Sequence, residues 1–249
     1  MPAVQAAPAD QQRLLDLQAL DSKLDQLAHR RRTLPQLAEH AALETRVGQL
    51  RDLLVASTTA QSDLAREQRK AEADVDQVRS RAERDRKLLD SGSVGAKELS
   101  NLQSELESLA KRQSDLEDIV LEVMERVEAA DARTAELTKQ RDEAEADLAR
   151  VTTALAEERA AVDKDLAFAK SQRDLLAAQL PADLIALYEK LRAQYGGIGA
   201  AAIKQRRCEG CRLELDIAEV NEIRAAAPDL VLRHDSCRRI LVRTAESGL

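Results

Sequence analysis

The chain has 249 residues and a formal net charge of −7 at pH 7, and only 1% of its residues are aromatic while 33% are charged. A wide globular interior normally contains aromatic rings, so this composition excludes a large globular core and is typical of a coiled coil. The acidic excess is uneven, because residues 203–243 contain nine Lys or Arg against seven Asp or Glu. This mildly basic C-terminal part permits contact with nucleic acid without requiring it.

The N-terminal pentapeptide, from Met1 to Gln5, has neither the charged segment nor the apolar segment of a signal peptide. The sequence also lacks a run of about 18 apolar residues that could span a membrane. All three cysteines fall within residues 208–237, which favours a metal site in a reducing compartment over a set of disulfides. We therefore expect a cytoplasmic protein without a membrane contact.

Two heptad-spaced series of mostly apolar residues predict two long helices. The first series runs over residues 43–89, and the second runs over residues 99–155 and continues less regularly to 169. An earlier segment, residues 17–34, has the same spacing in a different phase. Pro35 cannot donate a backbone hydrogen bond, so a kink or break is expected there.

The segment Ser91-Gly92-Ser93-Val94-Gly95 between the two series predicts a chain reversal near residues 91–96. An intramolecular antiparallel hairpin then places residue 43 opposite about residue 145 and the N-terminal segment beside residues 160–175. The alternative is an intermolecular coiled coil in which the glycines are a hinge. The predicted fold is mainly α: a long antiparallel coiled-coil helical hairpin with a small C-terminal zinc-ribbon domain.

Three parts follow from this organisation. Residues 1–180 form the coiled-coil hairpin, residues 181–199 form a neck helix and a Gly-rich linker, and residues 200–249 form the zinc ribbon. Pro181 ends the long helix, and a shorter helix is expected from Ala182 to about Gln194. In the ribbon, a helix is expected over residues 216–226, with Asp216 as its N-cap and Ile217, Val220 and Ile223 on one side.

Two short motifs of metal-ligand type lie in the ribbon. Cys208 and Cys211 form one Cys-x-x-Cys knuckle, and His234 and Cys237 form a second knuckle, with 22 residues between the two. Two such turns supply the four ligands of tetrahedral Zn²⁺, and Cys₃His is an ordinary structural set. The alternative is that His234 lies on the surface and that Asp235 or water completes the site. His29 and His40 are isolated and are expected to face solvent.

A full set of four protein ligands leaves no position for a reacting water, so the zinc is expected to be structural. About 40 residues cannot bury a self-sufficient core, and the metal would contribute folding energy. Phosphate loops of the G-x-x-x-x-G-K-[ST] type and plausible nucleophile–base pairs are also absent from the sequence. We therefore expect that the protein is not an enzyme.

A cluster of basic residues surrounds the two knuckles and is the candidate contact surface for RNA, DNA or an acidic protein, because Arg can pair with phosphate or carboxylate in a forked geometry. The alternative is a solvated face that keeps a small module soluble. The cluster consists of Lys204, Arg206, Arg207, Arg212, Arg233, Arg238 and Arg239.

The chain resembles the bacterial C4-type zinc ribbon proteins, which combine an N-terminal coiled-coil hairpin with a C-terminal zinc ribbon. The resemblance rests on residues 95–109 after the tip, on Leu187-Tyr188-Glu-Lys-Leu191 in the neck, and on the ribbon from Cys208 to Val242. His234 departs from the second Cys-x-x-Cys of that family. The resemblance implies a non-enzymatic adaptor, and partners of family members include the nitrogen-type alternative sigma factor, flagellar or secretion components and a messenger RNA.

The leading functional hypothesis is thus a cytoplasmic adaptor, a monomer or weak homo-oligomer, that binds protein or nucleic acid through the ribbon in transcriptional or post-transcriptional regulation. The alternative is a structural scaffold or holdase-like protein that acts through the coiled coil or its tip, residues 94–99, with a purely structural zinc.

Overall fold

The computed structural model describes residues 4–249, so the first three residues of the pentapeptide considered above for a signal peptide lie outside the described part. No described helix combines the length and the apolar content that crossing a bilayer requires. In chain order the elements are α1 (Pro8–Arg32), α2 (Pro35–Asp90), α3 (Ala96–Ala177), α4 (Ala182–Gln194), β1 (Ala200–Lys204), β2 (Arg207–Cys208), α5 (Ile217–Ala225), β3 (Leu232–Arg233) and β4 (Ile240–Val242).

The chain divides into two compact units. One consists of Ala38–Thr152, and the other combines the N-terminal segment up to Leu37 with Thr153–Leu249. Most helix ends lie close to where the sequence predicts them, but α3 ends at Ala177, before the predicted end at Pro181. α1 stops at Arg32 and α2 starts at Pro35, whose missing N–H costs nothing at the first helical position. The glycine-containing turn 91–95 separates α2 from α3.

The first unit is an antiparallel helical hairpin, which confirms the predicted fold class. Ser57 Oγ lies 2.9 Å from Thr134 Oγ1, and Arg126 Nη1 donates to Glu67 Oε1 at 3.0 Å, so partners advance in opposite directions along the two helices. The most buried residues of this unit all belong to the two heptad series: Val47, Leu50, Ser57, Ala71, Val75, Ala82, Leu102, Leu116, Val123, Leu137, Ala144 and Val151.

The register of the hairpin differs from the predicted one. The facing pair Ser57 and Thr134 places residue 43 opposite about residue 148, whereas residue 43 was expected opposite about residue 145. Leu137 and Ala144 pack with Val47 and Leu50 in one apolar cluster. In the first turn of α3, Leu99 is 39% exposed, and Leu102 is the first deeply buried residue of that helix.

The second unit joins helices and the ribbon in one core. Leu14 and Leu17 of α1 pack with Leu184 and Tyr188 of α4, and Ile240 of β4 lies in the same cluster. The sheet order is β2-β1-β4-β3, with β1 parallel to β4 and the other pairs antiparallel. The predicted boundary between a neck ending at residue 199 and a ribbon starting at residue 200 therefore divides residues that share a core.

The N-terminal segment and α1 are held by this unit at several polar contacts. The Ala6 N–H donates to Asp229 O at 2.8 Å, and the Gln11 side chain donates to Pro228 O at 3.1 Å. Gln18 binds the Gly-rich loop, since its Nε2 donates to Gly197 O at 2.9 Å and its Oε1 accepts from Gly199 N at 2.8 Å. These glutamines are buried, which a heptad pattern does not predict.

A buried carboxylate connects three helices of the same unit. Asp21 of α1 accepts the Tyr188 hydroxyl of α4 at 2.7 Å and Arg173 Nε of α3 at 3.2 Å. Arg192 Nε lies 3.6 Å from the same carboxylate. Burial and then the hydrogen bond to Asp21 raise the pKa of Tyr188. The predicted helix 182–194 is thus anchored through Tyr188 as well as through its apolar face.

Candidate metal centre

The two knuckles have the same backbone geometry. Arg212 N donates to Cys208 O at 2.7 Å, and Arg238 N donates to His234 O at 2.7 Å. Each arginine directly follows the second ligand of its knuckle and has a left-handed conformation, with φ of 61° for Arg212 and 62° for Arg238. Residues other than glycine rarely adopt this backbone conformation, so the surrounding structure must stabilise both turns.

The sheet brings the knuckles together. Cys208 is the last residue of β2, His234 directly follows β3, and Cys237 lies three residues before β4. β2 and β3 pair with β1 and β4, which are themselves neighbours. Gly210 lies close to the sheet, because a Cβ there would lie 2.9 Å from both Ala201 Cβ and Arg239 Cδ.

The four predicted ligands form one cluster, with ligand atoms all within 4.8 Å of one another. His234 Nδ1 lies 3.0 Å from Cys237 Sγ and 3.3 Å from Cys211 Sγ. Cys208 Sγ lies 3.9 Å from Cys237 Sγ. Zn–S bonds of about 2.3 Å in a tetrahedron require sulfur atoms about 3.8 Å apart, so this donor set fits Zn²⁺.

His234 belongs to this cluster and not to the surface. Its side chain is fully buried, and its second nitrogen, Nε2, lacks a hydrogen-bond partner among the described residues. The Asp235 side chain is 71% exposed and pairs at 3.6 Å with Arg238. Of the two alternatives for the fourth ligand, the geometry therefore favours His234.

The thiols of the cluster differ in acidity. Burial raises the pKa of Cys208 to about 12. Burial acts in the same direction on Cys237, but hydrogen bonds, foremost the one from the Arg239 backbone, outweigh it and lower the pKa of Cys237 to about 7. A thiolate is the metal-binding form, so binding of a metal ion removes the protons of both thiols.

The helix α5 supplies a carboxylate behind the cluster that the sequence analysis did not single out. Asp216 caps α5 as predicted, accepting from Glu219 N at 2.7 Å. Glu219 is buried, and its Oε1 accepts from Asp235 N at 3.0 Å. Val220 and Ile223 are buried in the ribbon core as expected, but Ile217, the first residue of α5, is 82% exposed.

Arg239 does not belong to a free basic surface. Its Nη2 donates to Tyr195 O at 2.9 Å, its Nε donates to Ile198 O at 3.0 Å, and its guanidinium lies 5.8 Å from the centre of the Tyr195 ring. Arg239 therefore ties the Gly-rich loop to the second knuckle, and its prediction as a partner-binding residue is not supported by this geometry.

The six other residues of the basic cluster are exposed and fall into two groups. In the first group, each cation is paired with a carboxylate: Lys204 with Glu246 at 2.8 Å, Arg207 with Glu214 at 3.1 Å, and Arg238 with Asp235 at 3.6 Å.

In the second group, the terminal guanidinium nitrogens have no carboxylate partner among residues 4–249. Arg206 Nε donates to Gly248 O at 2.9 Å, and Arg233 Nε donates to Arg238 O at 3.0 Å. For Arg212, the part of the chain that the structure describes provides no side-chain partner. We call Arg206, Arg212 and Arg233 the open arginines. They are the members of the cluster that are best placed to bind an anionic group.

The two remaining histidines lie outside the cluster. His29 is exposed, as predicted. His40 is only partly exposed, because its Nδ1 lies 3.3 Å from Glu44 Oε2 one helical turn away. The pair is local to α2, and within residues 4–249 His40 belongs to no cluster of metal-ligand side chains.

Family models match both parts of the chain: residues 17–196 match the CT398-like coiled coil hairpin domain, and residues 207–241 match the C4-type zinc ribbon domain. An uncharacterized protein of Mycobacterium tuberculosis is 40% identical over 240 residues, which cover 96% of this chain and 98% of that protein. An uncharacterized protein of Mycobacterium leprae is 35% identical over 86% of this chain and 92% of its own length.

Solved structures agree with the fold. A structure from Mycobacterium smegmatis has a TM-score of 0.83 at 36% identity and covers 97% of this chain and 100% of its own. CT398 from Chlamydia trachomatis has a TM-score of 0.68 at 18% identity, covering 95% of this chain and 98% of its own. With the helical hairpin and the four-ligand cluster, these matches confirm the resemblance drawn from the sequence: the chain belongs to the CT398-like coiled-coil hairpin family with a C-terminal C4-type zinc ribbon.

Proposed function

We propose that this protein is a non-enzymatic cytoplasmic adaptor whose zinc ribbon binds an anionic group of a protein or nucleic acid through the open arginines. The observation that carries the proposal is their geometry: Arg206 and Arg233 each use Nε to bind a backbone carbonyl. This contact orients the guanidinium while leaving its two terminal nitrogens for a phosphate or carboxylate.

In this proposal, Cys208, Cys211, His234 and Cys237 hold Zn²⁺, which supplies a covalent-strength link between the two knuckles. Three thiolates and one imidazole complete a tetrahedron, so no coordination position is left for water or substrate. This supports a structural role for the metal and a binding role for the protein. The three free cysteines fit a reducing cytoplasm.

A comparison of two matched variants tests the adaptor surface. One variant changes the open arginines Arg206, Arg212 and Arg233 to Gln, and the other changes the three carboxylate-paired cations of the cluster to Gln. Both remove three positive charges from the ribbon. The measurement is a crosslinked pull-down of tagged protein from its own cells, with and without nuclease.

We expect the first variant to lose its captured partner and the second to keep it. Capture that disappears after nuclease treatment identifies RNA or DNA as the anionic partner, and capture that survives identifies a protein. Equal capture by the wild type and both variants, or equal loss in both variants, contradicts the assignment of the open arginines.

A second candidate function is a scaffold that acts through the hairpin tip. It is favoured by two exposed leucines on either side of the turn, Leu88 at 43% and Leu99 at 39%. Deleting the ribbon is not a clean test, because β1 and β4 share a core with α1 and α4. Changing both leucines to Gln, with Leu121→Gln as an exposed control within the hairpin, removes partner capture only if the tip is the contact.

A further inference from the structure

The imidazole of His234 faces two different environments. Nδ1 points at the thiols, 3.0 Å from Cys237 Sγ, whereas Nε2 lies 3.7 Å from Glu219 Oε2. Nε2 is fully buried and has no hydrogen-bond partner within the described residues. A buried N–H without a partner is costly, so the nearest acceptor group gains importance.

Glutamate usually lies at the protein surface, but the Glu219 side chain is buried and held in one position. Its side chain is 8% exposed, and one of its oxygens, Oε1, accepts the Asp235 N–H of the second knuckle at 3.0 Å. The Asp216 cap fixes the first turn of α5 from which Glu219 projects. The other oxygen, Oε2, is left facing Nε2, and less than about 1 Å of movement closes the gap to hydrogen-bond length.

This pairing accounts for the departure from four cysteines. A ribbon of C4 type has a thiol in the place of His234, and a thiol has no second N–H to present to a carboxylate. A histidine that ligates through Nδ1 carries its hydrogen on Nε2 and needs an acceptor there. A carboxylate behind a ligating histidine fixes the tautomer and the orientation of the ring.

We propose that Glu219 is the positioning residue that allows His234 to act as the fourth metal ligand, with Nδ1 toward the metal and Nε2–H donated to the Glu219 carboxylate. The inference rests on the proposed zinc binding and deepens it. Glu219 does not touch the metal itself; it acts through His234, and most of its effect on metal binding should be lost when residue 234 has no Nε2.

The test is a cycle of Zn²⁺ affinities, measured by competition with a chromogenic chelator, for the full-length wild type, Glu219→Ala, His234→Cys and the double variant. We expect Glu219→Ala to weaken Zn²⁺ binding about 10- to 100-fold when His234 is present. In the His234→Cys background, the same change should have a much smaller effect on affinity, because only the contact with Asp235 N is then lost. An equal loss in both backgrounds overturns the proposal, because Glu219 would then act only through Asp235 N and the packing of α5.

Glu219→Gln provides a second route if Glu219→Ala does not fold. The amide oxygen can still accept from Asp235 N, but the amide nitrogen then faces Nε2–H, so the fold is kept and affinity falls. ¹⁵N correlation spectra of the zinc-loaded wild type should place the hydrogen of His234 on Nε2, and a hydrogen on Nδ1 overturns the proposal. A wild type that binds no Zn²⁺ refutes the zinc site, whereas tight binding that is equal in all Glu219 variants refutes only the role of Glu219.

Discussion

Replacing Tyr188 by Phe removes one oxygen atom from the centre of the unit that contains the ribbon. Tyr188 is fully buried, and its hydroxyl donates to Asp21 Oδ2 at 2.7 Å. A hydrogen bond to a charged group contributes about 1.5–3 kcal/mol. Arg173 still binds the Asp21 carboxylate in the variant, so no buried charge is left alone. We therefore expect Tyr188→Phe to lower the free energy of unfolding by about 1.5–3 kcal/mol near neutral pH.

The pH dependence of this difference follows from the raised pKa of Tyr188, which burial and the hydrogen bond to Asp21 cause. In the unfolded chain, tyrosine ionises near pH 10, at about its ordinary pKa. The folded state keeps its proton above that pH, so the contribution of Tyr188 is complete below about pH 10 and falls above it by about 1.4 kcal/mol per pH unit. The Phe variant has no such loss, and the stability difference should shrink as the pH rises.

Two measurements check this reasoning. Urea unfolding of the wild type and Tyr188→Phe across neutral to alkaline pH gives the difference in the free energy of unfolding. Hydrogen exchange of the α4 amides shows whether the change occurs in the unit that contains the ribbon. Tyrosinate absorbance in a Tyr195→Phe background follows Tyr188 alone and should rise only when the protein unfolds. Ionisation of Tyr188 in the native protein near pH 10, or a stability difference that does not change with pH, refutes the argument.

Three further outcomes are expected. Gly199→Ala should lower the free energy of unfolding by about 1–3 kcal/mol, because the new Cβ would lie 2.7 Å from Tyr188 O. In the control variant Gly95→Ala, the new Cβ meets no atom within 4 Å, so the urea midpoint should be unchanged or higher. Leu137→Ala in the hairpin core should lower the free energy of unfolding by about 2–5 kcal/mol. Leu121 is 59% exposed, so Leu121→Ala should change this free energy little. Equal losses in the two variants contradict the predicted seam. Chelation of the metal should increase hydrogen exchange in β3 and β4 while helical circular dichroism changes little, and unchanged exchange would argue against a structural metal.

The hairpin could be predicted from the sequence because its packing is periodic. The deeply buried positions of α2 and α3 in the hairpin unit recur at heptad spacing, and Leu116 and Val123, for example, are seven residues apart. A coiled-coil seam depends on few variables, and residue spacing contains most of them. The register was less predictable, because it depends on how the turn 91–95 offsets the two helices.

The metal cluster was also predictable, since ligand type and the spacing of two residues within each knuckle are local properties. Glu219 was not, because its role depends on α5 lying behind His234. The polar face of α1 escaped prediction for the same reason. Gln18 and Asp21 look like ordinary solvated residues until their partners, Gly199 and Tyr188, are brought to them by the fold.

The long-range contacts of α1 have a consequence for synthesis on the ribosome. Gln11 binds Pro228 O, 217 positions later in the chain, and Gln18 binds Gly197 O, 179 positions later. At about 5–20 residues per second, α1 waits roughly 10–45 s for these partners to be made. During that interval the helical hairpin 38–152 can already close from neighbouring segments, whereas Leu14 and Leu17 have no core to enter. Helix α1 is thus buried later than the hairpin, and until α4 and β4 have been made the nascent chain exposes Leu14 and Leu17 to chaperones.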